Sequence, residues 1–399
     1  MTAPTASKHG LASFTPERER KGLALCLSGG GFRAALFHLG ALRRLSELGI
    51  LSAVDTITAV SGGSILAAHL AATLRPWPAP GDVIGDWNTR VVAPFRRLAA
   101  RNIRTPAILR RLLPWNWFRS STGVRALAKI YERVVSGLPL VDLPARPRVI
   151  LCSTDMEFGV NWEFRRDTSG DYRVGYALTP PTWPIARAVA ASSAFPPVFN
   201  PLPVDLPPEA FQGGRQRPTD LRLTDGGVYD NLGLEPVWKS HETLLVSDGG
   251  APFNFEPDRG LLRRLKRYAD IIAGQVAALR KRWLVSNFIA GTLRGTYWGI
   301  GSAVESYDLP GSPGYPQALV DARIASIRTD LDAFSPAEMD VLENHGYTLA
   351  AVAIARHAPQ LVRVGRPPPI TPPHPDWMNE AAVDTGLADS RNRKLLGRW

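Results

Sequence analysis

The stretch from residue 23 to 74 limits the fold more than any other part of the sequence, because it contains two strand-turn-helix units in succession. An apolar run at 23–28 ends in three glycines, and a segment with a leucine at every third position follows and stops at Gly49, a typical C-terminal cap. A second apolar run at 56–60 leads through a serine-glycine turn into a second apolar helix at 64–74. This alternation predicts parallel strands joined by right-handed crossovers, and therefore an α/β fold.

Later segments fit the same fold class. Ser335-Pro336-Ala337-Glu338 is a strong helix start, with serine as the cap and glutamate closing a capping box. Further apolar runs predict strands at Arg148–Ser153, near Trp162–Arg165, at Leu221–Thr224 and at Thr243–Ser247. At 399 residues the chain is long enough for one large domain or two ordinary ones.

The second turn carries a candidate nucleophile. Ala59-Val60-Ser61-Gly62-Gly63 places a serine between a strand and a helix, with glycines directly after it. A serine on such a sharp elbow needs small neighbours so that a substrate can approach its hydroxyl. The alternative is that Ser61 or Ser64 only caps the helix, and the motif by itself does not decide between the two.

The first turn, Gly29-Gly30-Gly31, is a candidate anion site, because consecutive glycines allow backbone N–H groups to point at one anion. The spacing from Gly29 to Ala34 also satisfies a dinucleotide-binding fingerprint, but the next strand ends in Ser61 and not in the acidic residue that this fingerprint requires. An oxyanion hole fits better, since the glycine turn and the serine elbow fall on the same edge of neighbouring strands.

A base for the serine is harder to choose. His69 lies about 12 Å along the helix that begins at the serine, and His38 is equally deep in its own helix, where it is expected to be packed. His241 precedes a strand and so belongs to the wrong end of the sheet. Asp225 and Asp248 each follow a strand and open an Asp-Gly-Gly turn. Spacing leaves both aspartates open as the base.

Three blocks in this order resemble the patatin-like phospholipase family. They are Ser28 to Ala34, Val60 to Ser64 and Asp225-Gly226-Gly227, and the segment Ala191 to Pro197 also matches one that is usual before the family's catalytic aspartate. The resemblance covers about residues 23–250. Ala59 and Ala34 depart from the usual glycines and are similar to the cytosolic phospholipase A2 side of the superfamily, which puts the substrate in question more than the chemistry.

This resemblance implies a three-layer α/β/α fold with a mainly parallel central sheet, and a phospholipase A-type hydrolase that needs no cofactor. Ser61 would be the nucleophile and Asp225 its base, and Arg33 would steady the turn or bind a substrate phosphate. The oxyanion hole would use Gly29, Gly30 and Gly31, with Gly63, Gly226 and Gly227 supporting the motifs. A lysophospholipase, a neutral-lipid esterase, an acyltransferase or a non-catalytic membrane-binding protein are the alternatives.

The charge distribution favours an anionic membrane as a partner. Lysine and arginine exceed aspartate and glutamate by 47 to 36, giving a net charge of +11. Residues 87–131 contain ten basic and no acidic residues, and 261–284 contain seven basic residues and one acidic residue. Trp and Phe accompany arginine at 112–119, a composition typical of interfacial anchors, although solvated helix faces explain either stretch equally well. Aromatic residues that lie among leucines do not favour specific nucleic-acid binding.

We expect three regions along the chain: a flexible N-terminal segment 1–22, a catalytic domain 23–365 and a Pro-rich tail 366–399 that is extended or disordered. Within the domain, 87–145 is predicted to form a basic helical insertion or lid, and 255–350 a helical C-terminal part. No signal peptide or apolar span is evident, so a cytoplasmic, peripherally membrane-associated protein is expected. The two cysteines, Cys26 and Cys152, are expected to be buried thiols, and no metal-ligand motif is present.

Overall fold

A computed structural model describes residues 19–112, 121–133, 135–196, 198–252 and 260–390. The predicted aromatic anchor at 113–119 lies outside these residues, as do positions 1–18 and 391–399 of the two terminal segments. The strands are β1 (Leu23–Leu27), β2 (Thr56–Val60), β3 (Arg148–Asp155), β4 (Val160–Phe164), β5 (Thr168–Asp171), β6 (Gly175–Leu178), β7 (Leu202–Pro203), β8 (Gln212–Gly213), β9 (Arg222–Asp225), β10 (Thr243–Asp248) and β11 (Arg294–Gly299).

The α-helices lie between these strands and after them. They are α1 (Gly31–Glu47), α2 (Gly62–Thr73), α3 (Ala93–Ala99), α4 (Arg104–Leu112), α5 (Thr122–Glu132), α6 (Ile185–Ser192), α7 (Gly227–Asp230), α8 (Leu261–Ile289), α9 (Gln317–Leu319), α10 (Pro336–His357) and α11 (Glu380–Leu387). The capping box predicted at Ser335 is present at the start of α10. None of the described helices is both long and apolar enough to cross a lipid bilayer.

One large sheet organises the protein. Its strand order is β11-β10-β1-β2-β3-β4-β5-β6-β8, and the five strands from β11 to β3 are parallel. Beyond β3 the sheet continues with antiparallel strands, and β9 also pairs antiparallel with β3. Helices cover both faces, so the predicted three-layer α/β/α class with a mainly parallel central sheet is confirmed for the part of the sheet that carries the site.

The residues of β1 alternate between two hydrophobic cores. Leu25 and Leu27 face the core that α1 and α10 cover, whereas Ala24 and Cys26 face a smaller core that includes Leu284 of α8. This alternation follows from the two-residue repeat of a strand, and burial on both faces explains why the strand is apolar throughout. Both cysteines are free and buried, as expected.

Helices α1 and α10 pack with their backbones almost in contact. A Cβ at Gly40 of α1 would lie 1.9 Å from the carbonyl oxygen of Glu343, and a Cβ at Gly346 of α10 would lie 1.8 Å from the carbonyl oxygen of Phe37. Because no side chain fits at either position, this pair of glycines fixes the C-terminal helix directly on the helix that begins at the glycine turn.

Three expectations about the regions of the chain need correction. The part expected to be helical, 255–350, contains strand β11, because a short strand beside β10 extends the parallel sheet there. The tail 366–399 is not extended throughout, because α11 forms within it and buries Val383 and Leu387. At the other end, the flexible segment 1–22 includes Lys21, whose amide donates to the carbonyl of Ser240. The stretch 87–145 holds α3, α4 and α5, and its role as a lid stays a prediction.

Candidate active site

Ser61 lies on a strained elbow between β2 and α2. Its backbone has φ 49° and ψ −115°, in the left-handed region that residues other than glycine seldom adopt, and its side chain is only 8% exposed. The side chain makes no capping hydrogen bond to α2, which contradicts the alternative that this serine serves as the helix cap. Strain of this kind is typical of functional positions, where the surrounding structure holds a residue in place.

The glycines on both sides of the elbow permit a very close approach to the first turn. A Cβ at Gly62 would lie 2.0 Å from the carbonyl oxygen of Gly31, and a Cβ at Gly63 would lie 2.4 Å from that of Leu27. The structure therefore brings Ser61 directly against the glycine turn, at the carboxyl ends of two neighbouring parallel strands.

The three glycines of the turn do not have equal roles. The Gly29 amide donates to the carbonyl oxygen of Asn231 at 3.0 Å, so it is already used. The amides of Gly30 and Gly31 have no acceptor among the described residues, and neither does the amide of Gly62, which sequence reasoning missed. The candidate oxyanion donors are thus Gly30, Gly31 and Gly62, and Gly29 is corrected to a structural position.

Asp225 reaches Ser61 from an antiparallel strand. In the register of the sheet, Val60 lies opposite Cys152, and the next residue of β3, Ser153, lies opposite Asp225. Asp225 is therefore at the level of Ser61, one residue beyond the end of β2. The sequence indicated a strand before Asp225 but not its direction, because strand β9 runs back along β3 after a long connection.

Burial dominates the electrostatics of Asp225, which is 2% exposed. It raises the pKa of Asp225 from 3.8 to about 7, and hydrogen bonding by the Gly227 amide and the nearby Ser61 side chain moderates the rise. The Gly227 amide donates to Oδ1 at 2.7 Å. The buried Oδ2 has no hydrogen bond of normal geometry among the described residues, so one carboxylate oxygen remains to accept a proton.

Asp248, the other aspartate that spacing left open, is engaged elsewhere. Its Oδ2 accepts from the Tyr297 hydroxyl at 2.7 Å, and its Oδ1 accepts from the Gly250 amide at 2.9 Å. Both oxygens serve the junction between β10 and β11, which favours Asp225 over Asp248 as the partner of Ser61.

The segment Ala191 to Pro197 includes a residue that holds the elbow, Ser192, a role that the sequence did not reveal. The hydroxyl of Ser192 accepts from the Ser61 amide at 2.9 Å and donates to the carbonyl of Cys152 at 2.5 Å. It also shares a hydrogen bond of 2.8 Å with the hydroxyl of Ser64, the other residue considered as a cap. One buried hydroxyl thus ties the strained residue to the adjacent strand.

The same segment also holds the aspartate. The carbonyl of Ser192 accepts from the Gly226 amide at 3.2 Å. The carbonyl of Ala194 accepts from the Asp225 amide at 3.3 Å and from the Thr224 hydroxyl at 2.9 Å. Residues 192–194 therefore connect the Ser61 elbow to Asp225.

Arg33 is a correction to the predicted substrate contact. Its guanidinium is buried and donates to the carbonyl oxygens of Gly249 and Ile327, at 2.9 Å and 2.8 Å. Burial lowers the pKa of Arg33 to about 10, so it stays charged at neutral pH. Its side chain steadies the loops behind the glycine turn and does not face a substrate phosphate.

The three histidines considered as a base, His38, His69 and His241, have partners other than Ser61 in the described part of the chain. His38 bonds the Ser247 hydroxyl through Nδ1 at 2.7 Å and the Ser28 carbonyl through Nε2 at 3.0 Å, and burial lowers its pKa to about 4. His69 contacts the carbonyl of Val91, and His241 contacts Thr56 at the start of β2, the far end of the sheet. Among the described residues no group of three or more metal-binding side chains is present.

The fold defines the class first: a mixed α/β protein whose parallel sheet carries a serine elbow and a glycine turn on one edge. A family model described as patatin-like phospholipase matches residues 25–238, more than half of the chain. The chain therefore belongs to the patatin-like phospholipase family, and the resemblance seen in its motifs is confirmed.

Solved structures with a similar arrangement include human GIVD cytosolic phospholipase A2, at 14% identity and a TM-score of 0.45, over 93% of this chain and 63% of that one. The same human enzyme in complex with methyl gamma-linolenyl fluorophosphonate has 15% identity and a TM-score of 0.48, over 86% of this chain and 60% of that one. VipD from Legionella pneumophila has 15% identity and a TM-score of 0.38, over 85% of this chain and 67% of that one.

This chain spans about three fifths of the length of the human enzyme, and we rest the family assignment on the sequence match alone. No curated protein sequence matches the chain significantly.

Proposed function

We propose that this protein is a phospholipase A-type acyl hydrolase that cleaves carboxylic esters of phospholipids through an acyl-enzyme on Ser61. The observation that carries the proposal is the strained Ser61 beside the buried Asp225, whose Oδ2 is unpartnered among the described residues and whose pKa is raised to about 7. An aspartate with its ordinary pKa would be a poor base for an alcohol at neutral pH, and this environment improves it.

In the proposed reaction Asp225 takes the proton of the Ser61 hydroxyl as its oxygen attacks the ester carbonyl. The tetrahedral oxyanion is held by the amides of Gly30, Gly31 and Gly62, each such donor being worth roughly 3 kcal/mol to the transition state. Collapse breaks the ester bond, and protonated Asp225 returns the proton to the leaving alcohol. Asp225 then takes a proton from water, whose oxygen attacks the acyl group, and it returns that proton to Ser61 Oγ as the bond to the acyl group breaks and the fatty acid leaves.

The first experiment measures hydrolysis of a p-nitrophenyl acyl ester series by wild type, Ser61→Ala, Asp225→Asn and Asp248→Asn. Loss of either member of the pair is expected to lower kcat by about 10³-fold or more, as in other serine hydrolases. Asp248→Asn is the matched control, because it changes an aspartate of the same Asp-Gly-Gly pattern outside the pair. Wild-type rates in Ser61→Ala would overturn the assignment.

The substrate class is tested with phospholipid vesicles. Fatty acid released from diacyl phosphatidylcholine, in amounts that Ser61→Ala abolishes, supports the phospholipase. Cleavage of lysophosphatidylcholine alone indicates a lysophospholipase, and cleavage of triacylglycerol alone a neutral-lipid esterase. Transfer of the acyl group to an added alcohol in preference to water indicates an acyltransferase with the same Ser61 and Asp225.

A further inference from the structure

Helix α8 extends past the edge of the sheet on which Ser61 and Asp225 lie. Lys281 lies over the ring of Tyr297 at 4.5 Å from its centroid, and Tyr297 bonds Asp248, the last residue of β10. The helix leaves the carboxyl end of β10 and returns to the start of β11, so it runs antiparallel to both strands. The part of the helix before Lys281, residues 261–279, therefore leads toward and past that edge, and it is about 28 Å long at 1.5 Å per residue.

Among the side chains that the structure describes in this projecting part of α8, none is buried. The first side chain that is buried along the helix, among those that the structure describes, is Leu284. Tyr268, Ile272, Val276 and Leu279 recur at the spacing of one helix face, and all four are exposed, Ile272 by 65% and Leu279 by 58%. We call these four residues the apolar stripe.

Exposed apolar side chains also lie beside the candidate active site. Phe195 follows Ala194, whose carbonyl binds the Asp225 amide, and Val228 follows Gly227, which binds the Asp225 carboxylate. Both side chains are at least half exposed. The apolar stripe and these two residues therefore occur at the same edge of the sheet, from two separate parts of the chain.

The charge of the helix favours one occupant for this surface. The projecting residues 261–279 carry four basic residues and one acidic residue, Asp270, and three more basic residues follow at 280–282. An apolar face on a basic helix is the composition that binds an anionic lipid interface, where each basic residue contributes about 1 kcal/mol. Two copies of α8 paired through the stripe would instead bring their basic residues together, which costs free energy.

We propose that the projecting part of α8 docks the protein on an anionic lipid bilayer, with the apolar stripe, Phe195 and Val228 toward the lipid. This inference rests on the proposed function, since it places the edge of the sheet that carries Ser61 at the surface that contains the substrate. The lipid substrate would therefore reach Ser61 from the edge of the sheet where the apolar stripe, Phe195 and Val228 occur.

The test compares Ile272→Glu/Leu279→Glu with the control Leu178→Glu. Leu178 lies on β6, in the antiparallel part of the sheet, and is 82% exposed, so its substitution also adds an acid at an exposed leucine. All variants are placed on Ser61→Ala, so that hydrolysis does not alter the vesicles. Sedimentation with phosphatidylcholine–phosphatidylserine vesicles is expected to show at least a tenfold loss of affinity, about the value of one buried apolar side chain, for the double variant alone.

Each outcome has a defined meaning. Unchanged vesicle affinity in the double variant, or no binding by Ser61→Ala itself, overturns the docking surface. A wild type that is dimeric by light scattering, and a double variant that is monomeric with full vesicle affinity, assigns the stripe to a second copy instead. With Ser61 intact, the double variant is expected to keep the wild-type rate on a soluble short-chain ester. Vesicle binding without any ester hydrolysis by wild type would sustain the docking and refute the proposed function.

Discussion

Replacing Asp225 with asparagine is expected to stabilise the fold while it abolishes activity. Burial raises the pKa of Asp225 from 3.8 to about 7, so above pH 7 the folded protein holds a buried anion that costs free energy. Each pH unit between the two values corresponds to about 1.4 kcal/mol, which gives a cost of about 4 kcal/mol at about pH 8. Asparagine keeps the shape of the side chain and removes this cost.

The sign of the pH dependence follows from the raised pKa. Below pH 3.8 the carboxyl of Asp225 is protonated in both the folded and the unfolded protein, so its burial does not lower the free energy of unfolding. As the pH rises from 3.8 toward 7, the carboxyl ionises in the unfolded protein first, and the free energy of unfolding falls. At about pH 5 the cost is only about 2 kcal/mol. The gain in Asp225→Asn is therefore expected to shrink by about half between about pH 8 and about pH 5, whatever small packing change the amide introduces.

The assay is urea unfolding of wild type and Asp225→Asn at both pH values, followed by circular dichroism. Asp248→Asn is the control, since the Asp248 carboxylate accepts two hydrogen bonds and its loss is expected to destabilise the protein. A variant that is no more stable than wild type at the higher pH, or a gain that does not change with pH, would refute the reasoning about burial.

Two other predictions follow from the same site. The value of kcat/KM on a soluble ester is expected to fall tenfold per pH unit below about 7, the pKa of Asp225, because only the ionised carboxylate accepts the Ser61 proton; a flat profile down to about pH 5 would contradict this. Ser192→Ala removes the acceptor of the Ser61 amide and is expected to cost about 1–3 kcal/mol of stability and to slow acylation; unchanged fluorophosphonate labelling of Ser61 would show that the elbow does not need that hydroxyl.

Local spacing made the serine elbow and the glycine turn predictable. Each comes directly after an apolar run and directly before a helix, and neighbouring parallel strands end on the same edge of a sheet. The structure brings Ser61 and the glycine turn together as this rule requires. The alternation of apolar runs and helices likewise predicted the α/β class correctly.

What the sequence did not reveal depends on contacts between distant residues. Ser192 binds the amide of Ser61 from 131 positions away, and the carbonyl of Asn231 occupies the amide of Gly29. No rule of sequence spacing predicts that Ser192 or Asn231 would contact these amides. The direction of β9 was equally hidden, because a strand that pairs antiparallel beyond a long connection has the same residue pattern as a parallel one.

The sequence analysis also missed two elements in the C-terminal part of the chain, strand β11 and helix α11. Strand β11 contains two glycines and begins with arginine, so its composition does not suggest a strand, yet its pairing with β10 and the burial of Trp298 hold it in place. Helix α11 is short and follows a proline-rich stretch, although Asn379 caps it by accepting from the Ala382 amide and it buries Val383 and Leu387. Tertiary packing therefore determines β11, whereas α11 also has local helix signals that the proline-rich stretch before it concealed.

The glycine contact between α1 and α10 means that the family match and the folding unit have different boundaries. The match ends at residue 238, before β10, β11 and α10. A fragment that ended there would leave β1, the strand that leads into the glycine turn, as a bare sheet edge and would uncover the apolar face of α1. The part of the chain after residue 238 therefore supports the site, and its sequence is constrained where the two backbones meet at Gly40 and Gly346.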